Sequence, residues 1–306
     1  MRVRAVVRGL MVVVTAVFSQ AAGSLRAQQP GGRPAPPEIR EATRLDLAGE
    51  TARARAIFQS VLDSATDPAA RAGVERAIAM SYAFDGDCGN AVRHQRMAID
   101  HWRTREVAEP REAFFQEGEL ANEVARVCLD AGDLAAAERW YRTGYDYGMK
   151  EPAPREHPAS LWEYRLAHAL GRLAARRGEP AEAWREVERA RRILDGDSAM
   201  AAQQERFYPY LVGYVALYTG DLSRAESALK QAISLRGNTN DPFMHVLLGI
   251  TYERMGRARE AEELYRRSYA MARAHNPPAA FVRPFVRKKL HGAVSDSVTS
   301  HSTPMI

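Results

Sequence analysis

Two rows of side chains offer the best-defined surface chemistry in this chain. Arg165, His168, Arg172 and Arg176 follow one another at spacings of 3, 4 and 4, which puts all four on one face of a helix. The equivalent positions 42 residues on are Phe207, Tyr210, Tyr214 and Tyr218, and Phe243, Val246, Ile250 and Arg254 continue the row. Tyrosine beside arginine is a combination that binding hot spots favour, because each supplies a large contact area and a polar end. The same stripe also suits core packing, although Val212, Gly213 and Ala216 already supply packing positions on the tyrosine helix. Both readings stay open. The binding reading predicts that Arg165, Arg172, Tyr210 and Tyr214 share one partly exposed surface. Pro209 belongs to the first turn of its helix, so Phe207 is the marginal member.

Catalytic constellations are not legible. There is no His-Glu-x-x-His, no Gly-x-Ser-x-Gly and no glycine loop leading to Lys-Ser/Thr. His94 and His101 lie seven apart on one helix face without an obvious third ligand, and are expected to be a solvated pair. The stretch "DGDCGN", Asp85 to Asn90, has the acids of a calcium loop but no later glutamate, and is expected to be a turn. Glu-Arg pairs such as those in "AWREVERARR" suit solvated helix faces. The expectation is a non-enzyme with no cofactor and no metal.

The elements that carry these rows recur. Gly49, Gly86, Gly132, Gly178, Gly220 and Gly256 each end one helical segment and precede another. Five residues after each stands Ala54, Ala91, Ala137, Ala183, Ala225 or Ala261, and seven before stands Ala42, Ala79, Ala125, Gly171, Gly213 or Gly249. Glycine ends a helix cheaply in the left-handed conformation, and the small residues let two antiparallel helices approach. Nine past the glycine, Phe58, Tyr141, Val187, Leu229 and Tyr265 fill the space between units, with Gln95 as the exception. Acids that follow five of the glycines (Glu50, Asp87, Asp133, Glu179, Asp221) favour the start of the next helix.

This pattern resembles the tetratricopeptide repeat, most closely in the sixth unit with Leu248, Gly249, Tyr252, Ala261 and Tyr265. The resemblance covers about Ile39 to Ala274. It departs from the family in lacking the first-helix tryptophan and in its glycine intervals of 37, 46, 46, 42 and 36. It implies an all-α solenoid of about six helix-turn-helix units over residues 39–275, whose first helices line a concave groove that holds a peptide or a helix. The partner-binding candidates are then Arg165, His168, Arg172, Arg176, Tyr210, Tyr214, Tyr218 and Phe243. The lysine–asparagine carboxylate clamp of chaperone-binding repeats is not matched, so that partner is not carried over.

The ends read differently. Residues 1–27 hold Arg2, Arg4, Arg8 and Arg26 and no acid, with a short apolar run from Gly9 to Phe18 and then small residues. This is the layout of a cleavable secretory signal peptide, and the apolar run falls short of the ~20 residues that span a bilayer. Without those arginines the formal charge drops from +5 to +1, which leaves no global field for a nucleic acid. Residues 28–38 form a Pro/Gly-rich linker, 277–291 an amphipathic capping helix and 292–306 a tail expected to be disordered. Arg283, Arg287, Lys288 and Lys289 on the capping helix are the one feature suited to a membrane surface. Cys88 and Cys128 both fall near inter-helix turns of successive units, where a disulfide and two free thiols are both open. The combined expectation is a periplasmic or secreted scaffold for a protein or peptide partner in cell-envelope assembly or maintenance. The alternative is a helical-repeat glycan-binding component of an outer-membrane uptake system.

Overall fold

Asp and Pro open most of the described helices, and a glycine of positive φ follows the first helix of each pair. The computed structural model describes residues 35–299; the leader, most of the linker and the last seven residues lie outside the described residues. The described residues form only helices and turns, arranged as six antiparallel pairs. These are α1 (Pro37–Ala48) with α2 (Thr51–Ser64), and α3 (Pro68–Phe84) with α4 (Cys88–Arg103). Next come α5 (Pro110–Ala131) with α6 (Leu134–Met149), and α7 (Ala159–Arg177) with α8 (Pro180–Gly196). After α9 (Ser198–Gln204) and a 3-10 turn (Glu205–Phe207) follow α10 (Tyr208–Thr219) with α11 (Leu222–Ser234). The last pair is α12 (Pro242–Arg254) with α13 (Ala258–Met271), and α14 (Pro277–Thr299) closes the array. This is the expected all-α solenoid.

The local signals act as their chemistry requires. All six repeat glycines have positive φ, between 71° and 94°. Asp87, Asp133 and Asp221 each accept a hydrogen bond from the backbone N–H three residues on, which caps α4, α6 and α11. "DGDCGN" is the α3–α4 turn. Asp67, Asp197 and Asp241 cap α3, α9 and α12 in the same way.

Within each pair the small columns meet. All six alanines after the glycine are buried, as are Ala42, Ala79 and Ala125 before it. At Gly249 an added Cβ would stand 2.6 Å from the Tyr265 ring, and at Gly213 2.7 Å from Leu229 Cγ. The partner helix therefore occupies the place a side chain would take. The large column, Phe58, Tyr141, Val187, Leu229 and Tyr265, is buried, with Leu229 and Tyr265 seated on the glycines of their own pairs. Gln95 is buried there too, and its amide donates to Leu120 O and Glu123 Oε1, both at 3.0 Å. The polar exception is thus satisfied rather than a weak point.

Several expectations are corrected. His94 is not solvated: its Nδ1 lies 2.7 Å from Glu75 Oε2 and its ring stacks on Tyr82. The helix expected to end at 291 runs on to Thr299 with Pro284 inside it, so the first part of the supposed disordered tail is helical. The long interval before the fifth unit holds α9, which no repeat column signals. Cys88 and Cys128 form a disulfide with Cα atoms 4.8 Å apart. Helix axes in neighbouring pairs stand ~8–10 Å apart. However, Cys88 begins α4 and Cys128 lies in the last turn of α5, so the two meet at the ends of packed helices.

Candidate binding surface

The arginine row of α7 and the tyrosine row of α10 interdigitate. Arg172 donates from Nη2 to the Tyr141 hydroxyl of α6 at 3.1 Å, from Nη1 to the Tyr210 hydroxyl at 3.4 Å and from Nε to His168 O at 3.3 Å. Arg176 donates to the Tyr214 hydroxyl at 3.4 Å and lies 5.1 Å from the Tyr218 ring centre. Arg254 of α12 also lies 5.6 Å from the Tyr218 ring centre while donating to Leu217 O. One ladder of guanidinium and phenol groups therefore links four successive units.

Its environment is dry. Tyr214 is 0% exposed, and Tyr210 and Arg172 are each 6% exposed. Burial raises the Tyr214 hydroxyl well above the usual phenol range. Burial, followed by the charge of Arg172, drives the His168 imidazole well below its usual range, so it stays neutral. The hydrogen-bond acceptors of Arg172 are neutral oxygens, an arrangement that costs desolvation energy and is held by packing rather than by ion pairing.

The expected exposure is thereby overturned. Tyr210, Tyr214, Arg172, His168 and Phe243 are buried, and only Arg165, Arg176 and Tyr218 remain half-buried. Arg165 is ion-paired with Glu119 and lies over the Trp162 ring. The cause is curvature, which spacing does not encode. The array curls until its third and sixth units touch, with Arg126 of α5 placing its guanidinium 3.9 Å from the ring centre of Phe243 on α12. Arg126 belongs to this cluster as the third-unit equivalent of Arg172 and Tyr214, each six residues before its repeat glycine. The row read from the sequence began one unit too late, and Arg126 has its partner 117 residues away. Its Nε donates to Asp130 at 2.7 Å.

What lies on the inner face is α14. It packs on the first helices α1, α3, α5 and α12 and on α13. Its own Ala279, Ala280, Val282 and Val286 are buried. Phe281 meets Phe243 edge-on at 5.1 Å, Phe285 meets Tyr265 at 5.7 Å, and the two phenylalanines stack on each other at 5.3 Å. Two of its basic groups reach the far end of the solenoid and a third stays on the sixth unit. Arg283 donates to Leu47 O and Arg287 to Ala48 O, each at 2.6 Å, and Lys289 pairs with Glu253. Cations thus meet the carbonyls that the end of α1 leaves open. Just before the helix, His275 Nε2 lies 2.8 Å from the buried Asp46 carboxylate, and its ring stacks on Phe84.

The seat is not completely filled. A cleft of about 230 Å³ remains between α14 and the pair α3 and α5. Phe84, Val127, Phe281, Pro284 and Phe285 line it, with the Asp130 carboxylate in its wall.

No cluster of three metal-ligating side chains occurs among the described residues, and no described helix is long and apolar enough to cross a membrane. One unusual titratable group stands apart from the inner face. Glu117 of α5 is fully buried, neither carboxylate oxygen has a hydrogen-bond partner, and the nearest charged nitrogen is Arg103 Nε at 3.8 Å. Burial, then repulsion from Glu106, raises its pKa to about 7.

No curated protein matches the chain. Residues 210–239 and 244–275 match the family model of the tetratricopeptide repeat, which typically serves protein–protein interaction. Those spans are the α10–α11 and α12–α13 pairs, so the fifth and sixth units are similar in sequence to the repeat that all six pairs resemble in architecture.

Proposed function

We propose that this chain is an exported, non-catalytic helical-repeat scaffold that holds a protein or peptide partner on its inner face, in cell-envelope assembly or maintenance. The observation that carries the reading is that the inner face already seats an amphipathic helix, α14, through buried aliphatic side chains, aromatic edges and arginine-to-carbonyl bonds. A surface built to hold one helix has the chemistry to hold another. Export is supported by the basic, then apolar, then small-residue leader and by the Cys88–Cys128 disulfide, a bond that persists in oxidising compartments. The test is cross-linking in cells that express the chain with its leader, followed by fractionation and mass spectrometry of the cross-linked species. A specific protein partner in the envelope or medium supports the reading. Cytosolic retention with the leader uncleaved refutes export, and failure to cross-link any partner in the exported fraction refutes the scaffold.

A further inference from the structure

Resting on that scaffold reading, we propose that α14 is an exchangeable resident of the inner face, and that the partner is a basic amphipathic helix with two aromatic residues one turn apart. The seat itself specifies this chemistry. Phe281 and Phe285, four residues apart, engage Phe243 on α12 and Tyr265 on α13. Arg283 and Arg287, also four apart, reach across to the carbonyls of Leu47 and Ala48 at the open end of α1. The two sets alternate along the helix, so one occupant must carry both at this register. Gly49 leaves the space in which the Arg287 guanidinium lies, and a Cβ there would collide with it.

Two observations make the resident exchangeable. The fit is incomplete, since Phe281 and Phe285 stay half-buried and the cleft of about 230 Å³ beside them gives an incoming side chain a place to start. The anchoring is also poor in ion pairs. Arg283 hydrogen-bonds to backbone carbonyls and lies 4.4 Å from the Tyr269 ring centre with no carboxylate partner. Burial lowers its pKa, so its charge is held at a cost; the ion pair of the helix is Lys289 with Glu253. A competitor nevertheless faces a tethered rival whose effective concentration is on the order of millimolar. Loosening the resident must therefore raise affinity for an outside helix.

The probe is a fluorescently labelled peptide of residues 277–290, titrated into the full chain and into its Arg283→Ala/Arg287→Ala variant. The variant weakens only the resident, because the peptide keeps both arginines. Expected is binding to the variant at least tenfold tighter than to the wild type, abolished when both phenylalanines of the peptide are alanine. Hydrogen exchange of the wild type in excess peptide provides a second readout that does not depend on the variant folding: α14 amides lose protection as the peptide binds. Equal affinity for wild type and folded variant overturns the proposal, as does binding that leaves α14 protected. A cellular partner that binds wild type and variant alike would leave the scaffold standing and remove the exchange.

Discussion

Arg126 and Phe243, 117 residues apart, face each other with the guanidinium carbon 3.9 Å from the ring centre. The contact joins the third unit directly to the sixth. A double-mutant cycle on Arg126→Ala and Phe243→Leu should return a coupling of about 0.5–2 kcal/mol, the range of a partly desolvated cation–π pair. Additive effects in urea unfolding would mean that the two units are merely adjacent.

The repeat register predicts where bulk is forbidden. Ala183 and Ala225 are fully buried at the closest approach of their helix pairs, whereas Ala181 is exposed. Leucine at either buried position should destabilise by about 1–3 kcal/mol, and leucine at Ala181 should be nearly neutral. Thermal unfolding of the three variants checks this, and equal midpoints would contradict the register.

Closing a loop with sequence separation 40, the Cys88–Cys128 bridge should contribute about 4 kcal/mol through the unfolded chain. Denaturant unfolding with and without reductant measures it. Denatured, unreduced protein should take up no thiol label.

Glu117 sets a pH dependence whose sign follows from its raised pKa. Between the ordinary glutamate value of 4.5 and about 7, the folded protein keeps a proton that the unfolded chain has released. Stability attributable to this group therefore falls as pH rises through that window, by up to about 3 kcal/mol. Glu117→Gln should flatten the slope and raise the melting temperature at pH 8. An unchanged slope would show that the carboxylate is already ionised in the fold.

Legibility in the sequence tracks the range of the interaction. The glycine turns, aspartate caps and small columns depend on residues within one helix pair, and they were readable as spacing. Gln95 was visible as an anomaly, but its remedy, Leu120 O and the Glu123 carboxylate, lies on the next unit. The arginine and tyrosine rows were correctly placed on helix faces, yet whether Tyr214 meets solvent or protein depends on how far six units curl. Curvature sums small rotations between pairs, and the irregular linkers at residues 104–109, 150–158 and 198–207 hide them. On this geometry Tyr214→Ala removes a core ring, so the expected loss of about 3–5 kcal/mol is of stability rather than of binding alone.

Repeat arrays are ordinarily one-dimensional: each unit leans on its neighbours, and the ends fray first. Here the carbonyls of Leu47 and Ala48 are held by arginines 236 and 239 residues downstream. The first helix pair therefore gains its last contacts only after nearly the whole chain is present, which gives a local architecture a non-local closing step. The terminal units should then melt together with the middle ones, in a single cooperative transition rather than by peeling.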